Sequence, residues 1–293
     1  MVRPLWTWLL SSVVMIAGLP TLAAPLPITL AQAQPATAEQ LLNQGIRQVQ
    51  QQQLDTAIAT FRQATQLNPS LAPAHYNLGL ALRQRGDLQA SADAFYQATQ
   101  ADPTFALAFA NLGAALLEGN NLDLSRQYLQ RAAQLDPNMG LARYNLGLVY
   151  RLQGNRDAAL GEFLEAARLS PNAPESFYHI GLIYQEQGQT ERAINTFQRA
   201  VQLNSNYAEA LYSLGSLQFQ QGDLETALGF FRRSAQSNPN YANAYYGAGL
   251  VFLQQQKYSE AQRVFQYARD LFNAQGNSTW ANSANQMLQQ AQR

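Results

Sequence analysis

The side chains that could carry out chemistry are few and far apart in this sequence. The two histidines, His75 and His179, stand 104 residues apart, with no paired carboxylate near either. There is no cysteine, which excludes disulfides, thiolate metal sites and cysteine nucleophiles. The His-Glu-x-x-His pattern of zinc hydrolases is absent, and the only lysine, Lys257, follows a glutamine and so does not form a phosphate-binding loop.

Glu162 and Glu165 are a closely spaced acidic pair that could be considered as catalytic. They share a helix face at i, i+3, a spacing that is typical of a solvated surface. No group fills the roles that a catalytic site requires. We therefore expect a protein that is not an enzyme and has no cofactor, and we expect His179 to bind no metal.

Composition and charge exclude further classes of partner. Charged residues make up 13% of the 293 positions and balance to a net charge of zero, so nothing attracts the chain to nucleic acid or to anionic lipid. Hydrophobic residues make up 47%, enough for a packed core. We expect a protein or peptide partner and no nucleic acid.

The first 33 residues have the layout of a signal peptide. Arg3 precedes an apolar stretch from Leu5 to Leu19, and Ala31-Gln32-Ala33 offers a small-x-small cleavage site before Gln34. The alternative is an uncleaved anchor, since 5–24 is long enough to cross a bilayer. Residues 34–37 would then be a linker. We expect an exported protein, located in a periplasm, in a thylakoid lumen or outside the cell, with membrane anchoring through the N-terminal segment as the alternative.

Residues 38–275 repeat with a period of 34. The repeat shows in a proline ladder (Pro69, Pro103, Pro137, Pro171, Pro239, with Ser205 in the remaining slot), a glycine ladder (Gly45, Gly79, Gly113, Gly147, Gly181, Gly215, Gly249) and a bulky apolar ladder (Phe61, Phe95, Leu129, Phe163, Phe197, Phe231, Phe265). A fixed period of this length indicates one supersecondary unit stacked seven times. The units are 38–71, 72–105, 106–139, 140–173, 174–207, 208–241 and 242–275.

Each unit is predicted to be a pair of helices. In the second unit, 76–82 carries apolar residues at helical spacing, Gly86-Asp87 interrupts it, and 90–100 forms a second amphipathic run that ends at Asp102-Pro103. Each ladder glycine should let a neighbouring helix approach closely, and each ladder aromatic should fill the space between units. We assign these ladders no binding role.

The fourth unit shows the pattern most fully, with Leu146-Gly147, Tyr150, Ala159, Phe163, Ala166 and Pro171. These residues resemble the tetratricopeptide-repeat family. The resemblance implies an all-α, right-handed superhelical solenoid of seven helix-turn-helix repeats. The first unit departs from the pattern at Gln44 and Gln48, and the seventh at Ala248 and at the turn Gln256-Lys257. The apolar stripe in residues 276–293 (Trp280, Ala284, Met287, Leu288, Ala291) predicts a C-terminal capping helix.

In this family a second stripe of each first helix lines the concave groove where partners bind. Three rows of that stripe fall here at 34-residue spacing. The tyrosine row is Leu42, Tyr76, Ala110, Tyr144, Tyr178, Tyr212 and Tyr246. The asparagine row is Asn43, Asn77, Asn111, Asn145, His179, Ser213 and Gly247. The leucine row is Ile46, Leu80, Ala114, Leu148, Leu182, Ser216 and Leu250.

The four asparagines are the most specific feature of these rows. A side-chain amide both donates and accepts hydrogen bonds, as a peptide bond does, so a ladder of amides can bind an extended backbone of any sequence. The row is similar to the asparagine ladder in the repeats of O-linked GlcNAc transferases. The alternative is that asparagine is simply frequent in this slot, and the tyrosines are equally open to a packing or a binding role. We expect the asparagine row to be exposed.

These observations favour a non-enzymatic scaffold that binds an extended or helical peptide segment carrying apolar side chains. Two alternatives use the same fold. One is a membrane-tethered assembly factor for an envelope or thylakoid complex, and the other is a regulatory module for a separate enzyme. The two-lysine clamp that captures terminal carboxylates in some members of the family is absent, because the only lysine lies outside the three rows.

Overall fold

The computed structural model of the chain describes residues 36–292, in which every regular element is an α-helix. The predicted signal peptide or anchor, 1–33, lies outside the described residues. The fifteen helices of the described part are α1 (Ala38–Gln50), α2 (Leu54–Leu67), α3 (Ala72–Arg85), α4 (Leu88–Ala101), α5 (Ala106–Glu118), α6 (Leu122–Leu135), α7 (Gly140–Leu152), α8 (Arg156–Leu169), α9 (Pro174–Glu186), α10 (Thr190–Leu203), α11 (Ala208–Gln220), α12 (Leu224–Ser237), α13 (Ala242–Gln254), α14 (Tyr258–Ala274) and α15 (Ser278–Gln290).

The helices follow one another in helix-turn-helix pairs, so the predicted all-α fold class is confirmed. The odd-numbered helices α1 to α13 are the first helices of the seven units, and the even-numbered helices α2 to α14 are the second helices. The chain divides into two compact units, one that ends at Ala159 and one that begins at Leu160. We call them the N-terminal unit and the C-terminal unit.

The turn between the two helices of each pair contains one residue with positive φ, and that residue recurs every 34 positions. Glycine occupies the position four times, as at Gly86 with φ of 93°. Asn120 occupies it once, and glutamine twice, at Gln52 (φ 61°) and Gln256 (φ 59°). The left-handed region disfavours side chains with a Cβ. The glutamines therefore hold backbone strain that glycine would relieve.

The two structural ladders meet inside each pair. A Cβ at Gly79 would lie 2.7 Å from Cδ1 of Phe95, and a Cβ at Gly113 would lie 2.5 Å from Cγ of Leu129. Phe95 and Leu129 are fully buried. Glycine in the first helix therefore allows the second helix to pack its large side chain directly against the backbone, as the sequence predicts.

The C-terminal tail forms α15, which packs on α14. Asn277 precedes it, and its side chain accepts a hydrogen bond from the backbone N–H of Trp280, an N-cap that offsets an otherwise unpaired donor. The buried face consists of Ala281, Ala284, Leu288 and Ala291. The apolar stripe predicts Trp280 on that face. Trp280 is instead 44% exposed, because the helix turns Ala281 inward in its place.

Within residues 36–292, none of the helices combines the length and the apolar character that crossing a membrane would require.

Candidate peptide-binding surface

The tyrosine row packs against aromatic rings on two sides. Tyr178 lies with its ring centroid 5.9 Å from that of Phe197 and 5.1 Å from that of Tyr207. Phe197 belongs to the second helix of the same pair, and Tyr207 is the residue before the next first helix. Tyr212 repeats the arrangement with Phe231 and Tyr241. In the N-terminal unit, the ring of Tyr76 packs in the same way against the rings of Phe95 and Phe105.

The tyrosines therefore help to hold consecutive pairs together. Tyr76 is buried, whereas Tyr144, Tyr178, Tyr212 and Tyr246 keep part of their surface exposed. Their outer partners were missed by the sequence analysis. The signal was a large apolar residue two positions after four of the five ladder prolines (Leu71, Phe105, Met139 and Tyr241) and after Ser205 (Tyr207), whereas Ala173 follows Pro171.

Two of the four asparagines are buried, and the expectation of an exposed row is wrong for them. Asn77 is 0% exposed and Asn145 is 2% exposed. The amide of Asn77 donates to the carbonyl of Pro73, one turn earlier in its own helix, at 2.8 Å. Asn43 and Asn111 are partly exposed. The four asparagines are thus of mixed exposure, and the other members of the row, His179, Ser213 and Gly247, are buried.

Asn111 is the centre of a polar network in the N-terminal unit. Its Nδ2 donates to the carbonyl of Leu107 at 2.9 Å and to the hydroxyl of Tyr76 at 3.3 Å. Its Oδ1 accepts from the guanidinium of Arg83 at 3.4 Å. Arg83 in turn forms an ion pair with Glu118, with 2.8 Å between Nη2 and Oε1. The network joins α3 to α5 along the faces that carry the three rows.

Burial sets the protonation behaviour of this network. Desolvation raises the pKa of Tyr76 to about 12, although the hydrogen bond from Asn111 and the charge of Arg83 act in the opposite direction. Desolvation also raises the pKa of Glu118 and lowers that of Arg83, in each case against the attraction of the partner. Both side chains of the pair are less than one-fifth exposed. The pair is therefore a partly buried one, and its charges are poorly screened by solvent.

The leucine row presents apolar surface at some positions only. Leu80, Leu182 and Leu250 are partly exposed, whereas Leu148 is 9% exposed and Ile46 is buried. Ser216 breaks the row with a polar side chain in the C-terminal unit.

Both histidines make contacts within the repeats. His179 is buried and stacks on Phe163, with centroids 4.9 Å apart and planes inclined by 11°. His75 donates from Nε2 to the carbonyl of Pro69 at 2.9 Å, and burial lowers its pKa. In the part of the chain that the structure describes, no three metal-ligating side chains of His, Cys, Asp or Glu come together.

Family models of the tetratricopeptide repeat match most of the described chain. Models described as TPR repeat or tetratricopeptide repeat match residues 42–104, 106–139, 147–188, 181–222 and 209–241. The chain is a tetratricopeptide-repeat protein. No sequence among curated proteins matches this repeat protein significantly.

Solved structures share its fold. YrrB, described as a TPR protein with an unusual peptide-binding site, is 27% identical, with a TM-score of 0.52 over 67% of this chain and 99% of that one. A tetratricopeptide-repeat protein from Parabacteroides merdae is 17% identical, with a TM-score of 0.63 over 87% of this chain and 99% of that one. The chain from the APC/C hetero-tetramer Cut9–Hcn1 is 18% identical, with a TM-score of 0.64 over 75% of this chain. This protein spans only 44% of that chain.

Proposed function

We propose that this tetratricopeptide-repeat protein is a non-catalytic scaffold that binds an extended peptide segment of a partner protein along its first helices. Family membership supports interaction with protein, and the description of YrrB as having a peptide-binding site supports the more specific assignment. The observation that carries the proposal is the mixed character of the three rows. Asn43, Asn111, Leu80 and Leu182 stay partly exposed on helices whose other faces are buried in the core.

The exposed members of the rows suit a backbone that carries apolar side chains. Leu107 and Tyr76 accept from the N–H groups of the partly exposed Asn111 amide and fix its orientation, so a ligand would meet a preorganised carbonyl oxygen that can accept a hydrogen bond. In the N-terminal unit, Leu80 offers an apolar contact one turn away from the asparagine row. An extended segment presents alternating backbone and side-chain groups, which matches alternating amide and leucine contacts.

Asn77 and Asn145 have a different part in this proposal. Because both are buried, they would not contact the ligand directly, and Asn77 would support its helix through the hydrogen bond to Pro73. The similarity to the asparagine ladder of O-linked GlcNAc transferases then applies to Asn43 and Asn111 alone. A ligand would be bound in the N-terminal unit through these two amides.

Selection from a displayed library of random twelve-residue peptides, with the purified full chain as bait, would test the proposal. Enriched peptides would be synthesised and their affinities measured by fluorescence anisotropy. Replacing Asn43 and Asn111 together by alanine removes hydrogen bonds worth about 0.5–1.5 kcal/mol each. The selected peptides should therefore bind about 5- to 150-fold more weakly.

Gln66→Ala is the matched control, because Gln66 is an exposed amide on the second helix α2. It should leave affinity unchanged. Equal affinity of the Asn43/Asn111 double variant and the parent would contradict the proposal. The proposal would also be contradicted if no two selected peptides competed for the same surface of the protein.

We also propose that the protein is exported and that residues 1–33 are removed. The support is the sequence pattern, with an apolar stretch followed by Ala31-Gln32-Ala33. Edman sequencing of the protein recovered from its native compartment should begin at Gln34. Recovery of the intact N-terminus in a membrane fraction would favour the tethered alternative.

A further inference from the structure

The seventh pair replaces two neighbouring pattern residues by small ones. Gly247 stands in the asparagine row, where the other pairs have asparagine, histidine or serine. Ala248 stands in the next slot, where the second to sixth pairs have leucine or isoleucine. The first pair also departs from leucine there, but with the larger Gln44. Only the seventh pair has lost side-chain volume at both positions.

A cleft of about 390 Å³ opens beside these residues in the C-terminal unit, between α12, α13 and α14. Its apolar wall is formed by Leu228, Phe231, Ala248 and Phe252, all of which are buried. Arg232 and Arg263 line it as well, one from α12 and the other from α14. Both arginines are exposed. The cleft therefore has an apolar interior and a cationic rim on two sides.

The two small residues account for the space. Ala248 lacks the branched side chain that would extend into the cleft from α13. Gly247 lets the ring of Phe231 lean towards the backbone of α13, because a Cβ at Gly247 would lie 2.6 Å from Cε1 of that ring. Any other residue at 247 would push the ring away. The loss of volume and the position of the ring thus both follow from the departure of the seventh pair from the pattern.

The rim charges are available for a ligand. Neither Arg232 nor Arg263 forms a hydrogen bond or an ion pair with any residue in 36–292. Guanidinium groups bind carboxylates through two parallel hydrogen bonds. Two arginines on opposite walls match two carboxylates on either side of one apolar group, whereas a single terminal carboxylate would leave one of them unused.

We propose that this cleft binds an acidic peptide segment of a partner protein, with one leucine-sized side chain in the apolar interior and flanking Asp or Glu residues on Arg232 and Arg263. No residue of the three rows lines the cleft, although Gly247 of the asparagine row makes room for the ring of Phe231. Tyr245, Ala248 and Phe252 share one face of α13 at i, i+3 and i+7, and the row residue Tyr246 lies on another. The proposal is therefore independent of peptide binding along the rows. A pocket for one anchoring side chain, ringed by polar groups, is the usual form of a binding hot spot.

The test uses an eleven-residue fluorescein-labelled peptide with a central leucine and two aspartates on each side, titrated against the full chain. Two further peptides replace the leucine by serine or the aspartates by asparagine, and both should bind at least tenfold more weakly. Ala248→Leu should weaken the parent peptide at least tenfold by filling the cleft. Its melting temperature should stay the same or rise, because leucine restores the pattern of the other pairs.

Charge reversal provides a second variant, should Ala248→Leu disturb folding. Arg232→Glu with Arg263→Glu should weaken binding at least tenfold, and Arg62→Glu with Arg131→Glu should not, although it changes the net charge equally. Both control arginines are exposed in the N-terminal unit. Unchanged binding to Ala248→Leu, or absence of binding by all three peptides at millimolar concentration, would overturn the proposal. Tighter binding of dodecanoate than of the peptide, abolished by Ala248→Leu, would overturn it in favour of a lipid ligand.

Discussion

Shortening Leu288 to alanine should loosen the C-terminal end of the repeat array. Leu288 is 8% exposed and belongs to the apolar cluster that contains Phe265 and Ala261 of α14. α15 packs on α14 where a further pair would otherwise pack, and it keeps these side chains from water. Terminal repeats generally need such a cover with a polar outer face.

The expected loss in the free energy of unfolding is about 2–3 kcal/mol. Replacing buried leucine by alanine costs about 2–5 kcal/mol, and the cost falls where the surroundings can collapse into the cavity. Leu288 lies near the last turn of a terminal helix, which can move inward, so the lower half of that range applies. Trp280 is 44% exposed and contacts Phe272 and Tyr246 through its ring faces and edges. Its replacement by alanine should therefore cost less, about 1–2 kcal/mol.

Urea denaturation followed by far-ultraviolet circular dichroism would measure both values. Gln289→Ala is the matched control, because its side chain is exposed on the same helix turn. Hydrogen exchange should show faster opening of α14 in Leu288→Ala and little change in α1 to α5. The reasoning is refuted if Leu288→Ala costs no more than the control, or if Trp280→Ala costs more than Leu288→Ala.

Three further substitutions test other parts of the structure. Gln256→Gly should raise stability by about 0.5–1 kcal/mol, because the relief of left-handed backbone strain exceeds the entropy that glycine adds to the unfolded chain. The midpoint of thermal unfolding should therefore rise in Gln256→Gly and fall in the reverse substitution, Gly86→Gln. Burial holds the pKa of Tyr76 at about 12, above the ordinary 10.0, so its contribution to stability is complete below pH 10 and lost as the pH rises towards 12. The stability difference between the parent and Tyr76→Phe should narrow over that window in urea titrations. Asn77→Ala should lower stability by about 0.5–1.5 kcal/mol because it removes the hydrogen bond to Pro73, and an unchanged melting temperature would contradict its structural role.

The fold could be predicted from the sequence because the repeat supplies the same information seven times. A glycine such as Gly79 and an aromatic such as Phe95 recur at constant spacing, and each pair has one packing solution that uses both. The residues before the first helices were harder to interpret. Tyr207, which is buried, and Tyr241, which is half-buried, lie in short connections, where no helical period indicates burial. The sequence marks them only by their recurrence two positions after the ladder proline position, and their contacts with Tyr178 and Tyr212 explain that recurrence.

The surface of the first helices was harder to predict than the core. The 34-residue period places Asn77 and Asn111 at the same position of their respective helices. It does not tell how far the neighbouring helix extends over that position. Asn77 is covered completely, whereas Asn111 remains partly exposed and joins the network of Arg83 and Glu118. That network involves contacts between residues up to 35 positions apart. No local pattern in the sequence contains this information.

In a repeat protein, each position can be compared with the equivalent position in the other pairs. Departures at the first pair, such as Gln44, are expected where a terminal helix faces solvent. That explanation does not extend to Gly247 and Ala248, since α14 and α15 both follow them and Ala248 is buried. Alanine at a buried position where the pattern has leucine costs stability. A use for the space left by the leucine side chain explains why the protein has alanine there. The two unpaired arginines at the rim indicate that use, because an unfilled apolar cleft alone gives no reason for cations on both of its walls.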